Sequence, residues 1–133
     1  MNRTNTRIKN TWIQYLKPYD VTPEQCAVLF CLWEKDGVTP KDLSLLVSKD
    51  APTTVRILKK LIKKGLLRRE SDPTDKRSYR IYMTAQGNAL QDEITAAGEA
   101  AVKKVLRGIA KEDSQLMMKL LKQIYDNLES ENV

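Results

Sequence analysis

Apolar positions recur at helical spacing along most of the chain, and the stretches that carry them are framed by capping residues. Ile8, Trp12, Ile13 and Leu16 predict a first helix. Thr22-Pro23-Glu24-Gln25 reads as an N-cap, a proline at the first helical position and a glutamine three residues after the cap. The helix it opens carries Ala27, Leu29, Phe30, Leu32 and Trp33, and should stop at Asp36-Gly37, where glycine accepts left-handed backbone. Thr39-Pro40-Lys41-Asp42 repeats the cap-and-proline start, followed by Leu43, Leu46 and Val47 at helical spacing. After the polar turn Ser48-Lys49-Asp50, Ala51-Pro52 opens a third helix through Val55, Leu58, Leu61 and Ile62, ending at Gly65. Two short helices joined by a three-residue turn predict a helix-turn-helix.

Beyond Gly65 the period shortens. Leu66-Leu67-Arg68-Arg69-Glu70 is strand-like, and Ser71-Asp72-Pro73-Thr74-Asp75 is dense in turn formers. Tyr79, Ile81 and Met83 alternate with Arg80 and Tyr82, the period of a half-buried strand. A charged hairpin directly after a helix-turn-helix is a wing. Thr84 then caps a segment from Ala85 to about Ile109, with Leu90, Ile94, Ala97, Ala101 and Val105 on one face and Gly98 marking a bend or a close helix contact. A last helix, from about Glu112 to Glu129, carries Met117, Leu121, Ile124 and Leu128.

The fold class expected is mainly α with a small β-hairpin wing. The chain reads as a single domain: residues 22–84 the winged helix-turn-helix, 85–109 a long connecting helix, and 1–18 and 110–133 terminal helices. The terminal helices are too apolar for a three-helix core and a wing to cover. We expect them to interlock with a second copy; folding back on their own domain is the alternative.

Charge sharpens the picture. Eleven Lys/Arg against four Asp/Glu give Lys49–Arg80 a net +7, while the rest of the chain is at −1. A basic segment inside a folded domain is the footprint expected for nucleic acid, with a solvated lysine-rich surface as the bland alternative. The chain has no histidine, no Gly-rich phosphate loop and no Gly-x-Ser-x-Gly, and two cysteines without histidine do not make a zinc site. These observations predict neither an enzyme nor a metal or cofactor. No apolar run approaches the roughly 18 residues of a membrane span, the N-terminus has no signal-like apolar core, and there is no disulfide framework, so we expect a cytoplasmic protein without membrane contact.

On the third helix, residues placed 100° apart put Val55, Leu58, Leu61 and Ile62 on one side and Thr53, Arg56, Lys60 and Lys63 on the other, with Pro52 and Lys59 at its edge. One face anchors and the other offers donors to a groove. Arg56 suits bidentate readout of guanine; Thr53, in the first turn, suits phosphate, as do Lys60 and Lys63. At the wing, Arg77 can enter a minor groove, and Asp75 either orients Arg77 or Arg69 or serves the turn alone. The candidate DNA-binding set is Thr39, Pro52, Thr53, Thr54, Arg56, Lys60, Lys63, Arg69, Asp75, Lys76 and Arg77.

Tyr19-Asp20-Val21-Thr22-Pro23-Glu24-Gln25, Leu66-Leu67-Arg68-Arg69, Asp72-Pro73-Thr74-Asp75-Lys76-Arg77-Ser78 and Met83-Thr84-Ala85-Gln86-Gly87 occur in that order. The pattern resembles the MarR family of bacterial transcription regulators over about Tyr15 to Leu128. The resemblance implies a homodimer, built on the first and last helices, whose two lobes bind a pseudo-palindromic operator. It makes the helix from Ala51 the recognition helix, Arg77 the wing arginine and Asp75 its supporting acid. It also implies a repressor released by a small phenolic or anionic effector. The segment before Thr22 is short for the family, which trims the first helix, the dimer interface and one wall of the effector pocket.

Trp12, Tyr15 and Tyr19 lie near where that pocket would be, though aromatics so spaced also suit a core or dimer interface. Cys26 and Cys31 fall within an apolar helix about 140° apart, with no adjacent cation, which favours inert thiols over an oxidation sensor of the same fold. A winged-helix module that docks protein rather than specific DNA is the further alternative.

Overall fold

The computed structural model describes residues 3–75 and 77–131. The chain divides into two compact units, one up to Glu99 and the other from Ala100. The first contains α1 (Arg3–Leu16), a 3-10 turn (Lys17–Tyr19), α2 (Pro23–Glu34), α3 (Pro40–Val47), α4 (Ala51–Lys63), β1 (Leu67–Ser71), β2 (Tyr79–Met83) and α5 (Ala85–Ala89). Helix α6 (Gln91–Val105) runs from the first unit into the second, which ends with α7 (Lys111–Glu131).

Local chemistry sets the helix starts. Thr22 accepts from the Gln25 amide at 3.1 Å, and the Gln25 side chain accepts from the Thr22 amide at 3.2 Å, a complete capping box. Thr39 accepts from the Asp42 amide at 3.2 Å, Asp50 from Thr53 at 2.7 Å and Thr84 from Gly87 at 3.1 Å. Each cap satisfies an N–H that has no partner inside its helix. Between α3 and α4 the turn is Ser48–Asp50, with Ser48 left-handed at φ 54°. Gly65, at φ 79°, takes the chain from α4 into β1.

The hairpin pairs Leu67 with Met83 and Ser71 with Tyr79. Val38 adds an antiparallel bridge to Ile81, and the Asp36 carboxylate accepts from the Met83 amide at 2.9 Å, so the wing's base is held by the link between α2 and α3. Leu16, Leu29, Leu32, Leu43, Leu58, Leu61, Leu67, Ile81 and Ile94 form one core beneath the helix-turn-helix and the wing.

Two expectations are corrected and one open choice is decided. The 85–109 segment is not one helix: α5 ends at Ala89 and α6 begins at Gln91. A Cβ on Gly87 would come within 2.4 Å of the Leu66 carbonyl and the Met83 sulfur, so α5 is seated against the foot of the wing, and the helix is interrupted at Leu90. Of the two readings of Gly98, the close helix contact is the one seen: it admits the Trp12 ring, 3.6 Å from where a Cβ would stand. On α3 only Leu43 is fully buried, and Leu46 is exposed beside Leu45, because eight residues give the helix a narrow contact face.

In the second unit, the end of α6 is followed by a turn with Gly108 at φ 82°. Helix α7 then exposes Leu116, Met117, Leu120, Leu121, Ile124, Tyr125 and Leu128 to between 40% and 61%. Among the described residues no helix is long and apolar enough to cross a membrane, and no group of three or more potential metal ligands is assembled.

Candidate nucleic-acid interface

Helix α4 rests on α2, α3 and β1 through Thr54, Ile57, Leu58 and Leu61, all buried, with Val55 and Ile62 half-buried on one flank. The buried stripe is therefore rotated from the one expected, because Ile57 belongs to it. Opposite lie Pro52, Arg56, Lys59 and Lys63, all exposed, with Lys60 exposed to one side. Lys59 is thus central to the outward face rather than at its edge. The helix carries four cations and no acid.

Thr54 is removed from the candidate set. It is fully buried, and its hydroxyl donates to the Asp50 carbonyl one turn back, at 2.9 Å. Thr53 is half-buried, and its amide is taken by the Asp50 carboxylate. Those hydrogen bonds from Thr53 hold the Asp50 carboxyl below the usual carboxylate range, with Arg56 and Lys49 acting in the same direction. The helix start expected to meet phosphate is therefore occupied by the protein's own anion. Thr39 is half-buried and caps α3.

The wing sorts its arginines. Arg68 pairs with Glu70 at 2.8 Å and lies 4.7 Å from the Tyr82 ring centroid; Arg80 donates to the Gly37 carbonyl at 2.9 Å. Arg69 stacks 4.1 Å from the Tyr79 centroid, which uses the guanidinium face and keeps its N–H edge for other acceptors. Arg77 is exposed at the tip. Asp75 accepts from the Arg77 amide at 3.0 Å, and Asp72 from the Thr74 amide and hydroxyl at 2.9 and 2.7 Å, so both acids order the turn. The contacts from Thr74 hold the Asp72 carboxyl below its ordinary range. Lys76 lies outside the described residues.

Of the readings open for Trp12, Tyr15 and Tyr19, the single chain shows core packing for two. Trp12 and Tyr19 pack on the core, and Tyr15 is half-buried. The cleft nearby, of about 620 Å³, is lined instead by α1, the corner at Asp20–Gln25 and the flank of α4. Cys26 is buried, which pushes its thiol up to about 12. Cys31 is raised by burial and by neighbouring Glu34. Both shifts disfavour the reactive thiolate.

A helix-turn-helix with an outward cationic helix and an arginine-tipped hairpin is a winged-helix module. Residues 21–79 match the MarR family. The transcriptional regulator HosA of Escherichia coli O111:H- is 28% identical over 105 residues, 79% of this chain and 78% of that protein. The multiple antibiotic resistance protein MarR of Salmonella typhimurium is 27% identical over 125 residues, 93% of this chain and 85% of that protein. Among solved structures, a mutant MarR from E. coli complexed with operator DNA superposes with a TM-score of 0.85 at 25% identity, covering 91% of this chain and 87% of that one. The helix-turn-helix and most of the wing, residues 21–79, are thus of the MarR type.

Proposed function

We propose that the protein is a sequence-specific regulator of transcription that binds duplex DNA as a homodimer, and acts as a repressor released by a small-molecule effector. The observation that carries this reading is the outward face of α4: Pro52, Arg56, Lys59 and Lys63 in line, Lys60 beside them, and no acid on the helix. Cations attract DNA through its phosphates, and the planar fork of Arg56 adds base discrimination. Arg77 and Arg69 extend the contact from the wing. The superposable relative was crystallised on operator DNA, which supports the same docking mode here. The exposed apolar stripe of α7 supports a second copy as its cover. That the relatives of this chain are transcriptional regulators supports a non-enzymatic, cytoplasmic role.

The test is selection of a duplex from a random-sequence pool, followed by titration of that duplex and a scrambled one at two salt concentrations. We expect preference for the selected duplex and affinity that falls with salt. Arg56→Ala should relax base preference at one position in each half-site, and Arg77→Ala should weaken binding further. Equal affinity for both duplexes, unchanged when Arg56 and Arg77 are both replaced, would leave a protein-docking winged helix as the better account.

A further inference from the structure

Lys64 follows the last residue of α4, inside the basic stretch that the charge count assigns to DNA. Its ammonium is engaged elsewhere. It donates to the backbone carbonyl of Asp20 and, at 3.0 Å, to Oε1 of Gln25, and its Nζ stands 3.8 Å from the Asp20 carboxylate. Two of its three N–H groups are thus engaged in hydrogen bonds, and the Asp20 carboxylate adds a longer ion pair. The partners lie 39 and 44 residues away in sequence, at the corner between α1 and α2. That corner is itself specified. Asp20 is left-handed at φ 55°, and the same Gln25 oxygen accepts from the Thr22 amide to close the capping box.

The neighbourhood gives this link its importance. The cleft between α1 and α4 has Ile13 and Lys17 on one side and Arg56 and Lys60 on the other. The cleft leaves α4 without packing on this side, its support coming from α2, α3 and β1, and the hydrogen-bonded lysine is what ties the end of the helix across to the corner. We infer that Lys64 is a positioning residue for DNA recognition: it holds the C-terminal end of α4 to the Asp20–Gln25 corner and so sets how Arg56 meets a groove, without touching phosphate itself. The inference rests on the DNA-binding reading above.

The experiment compares Lys64→Met and Lys64→Arg with the wild-type dimer on the selected and scrambled duplexes across a salt series. Lys64→Met keeps the apolar stem and removes the donors. Its affinity for the selected duplex should fall about tenfold, the scale of losing charged hydrogen bonds that hold a geometry. Binding to the scrambled duplex and the slope of log K against log salt should not change. Lys64→Arg should restore the preference, because a guanidinium can donate to the same carbonyl and amide oxygens. A loss shared by both duplexes with the slope reduced by about 1.8, about 0.9 from each protomer, would instead make Lys64 a phosphate contact and overturn the inference. So would an unchanged affinity for both duplexes, or a Lys64→Arg protein no better than Lys64→Met. If Lys64→Met does not purify folded, Lys64→Gln, which keeps one donor group, is read in the same way. Failure of the DNA-binding reading is distinguishable, because the wild-type protein would then show no preference between the duplexes.

Discussion

Replacing Thr54 by valine separates a buried strut from a base contact. The side chain is inaccessible, and its hydroxyl donates to the Asp50 carbonyl at 2.9 Å, a carbonyl that also accepts from the Thr54 amide at 3.0 Å. Valine has nearly the same shape, so no cavity opens, and the acceptor keeps one partner. The lost hydrogen bond costs about 1 kcal/mol. Burying a methyl in place of the hydroxyl offsets part of that, at about 0.8 kcal/mol for a buried carbon. The net destabilisation should stay below about 1 kcal/mol, a fall in Tm of no more than about 5 °C for a domain of this size. Affinity for a selected duplex should change less than twofold by our reckoning, since a fully buried group offers nothing to a base edge. A base contact would behave differently, losing about 1–3 kcal/mol of discrimination, roughly fivefold to a hundredfold or more. Thermal unfolding and fluorescence-anisotropy titration, run on the same preparations, measure the two quantities. A fivefold or larger loss of affinity at unchanged Tm would show that Thr54 reaches DNA and that the rotation assigned to α4 is wrong.

Lys59→Ala should lower the salt slope of DNA binding by about 1.8, one lost phosphate contact at about 0.9 from each lobe of the dimer, and an unchanged slope would remove Lys59 from the interface. The depressed carboxyls of Asp50 and Asp72 stabilise the fold. Their contribution is complete above the ordinary Asp pKa of about 3.9 and is lost as pH falls through the lower folded values. Asp50→Asn keeps a cap but does not titrate, so its Tm should fall less than wild type's on acidification below about pH 4; parallel curves would show that the cap carries no pH dependence. Leu121 is 54% exposed in the single chain. If a second copy covers α7, Leu121→Glu buries an unpaired carboxylate and should weaken dimerisation by at least about tenfold in sedimentation equilibrium, whereas equal association of the two proteins would place the dimer contact elsewhere.

Elements whose causes are local were legible in the sequence. The N-caps, one of them a full capping box, and the first-turn prolines of α2, α3 and α4 act over three or four residues, and the starts of α2, α3, α4 and α5 follow them. The alternation of Tyr79, Ile81 and Met83 likewise reports a strand with one face on the core. What escaped depends on contacts far away in sequence. The break at Leu90 accompanies the seating of Gly87 on the Leu66 carbonyl, not any helix-breaking residue. The stripe on α4 was misplaced because Ile57 and Thr54 turn inward while Val55 and Ile62 lie on the flank, a rotation fixed by α2, α3 and β1. The signal for Thr54 was present in part: a threonine four residues after an N-cap can bond back to the cap's carbonyl.

Charge is where the sequence and the folded chain differ most in what they say about function. The segment Lys49–Arg80 holds eleven cations, and counting them treats all as equivalent. In the folded chain Lys49 faces Glu24 at 3.7 Å, Lys64 is bound at the Asp20 corner, Arg68 pairs with Glu70 and Arg80 donates to Gly37. These four work within the domain. Arg56, Lys59, Lys60 and Lys63 stand outward on one helix, and Arg77 stands at the wing tip. Arg69, stacked on Tyr79, keeps its N–H edge for the same use; counterion release responds to phosphates neutralised and not to net charge, so each lobe should show a slope set by at most about six contacts at −0.9 each rather than by eleven. The basic segment thus has two tasks: one set of cations aims the recognition helix, and the other meets the DNA.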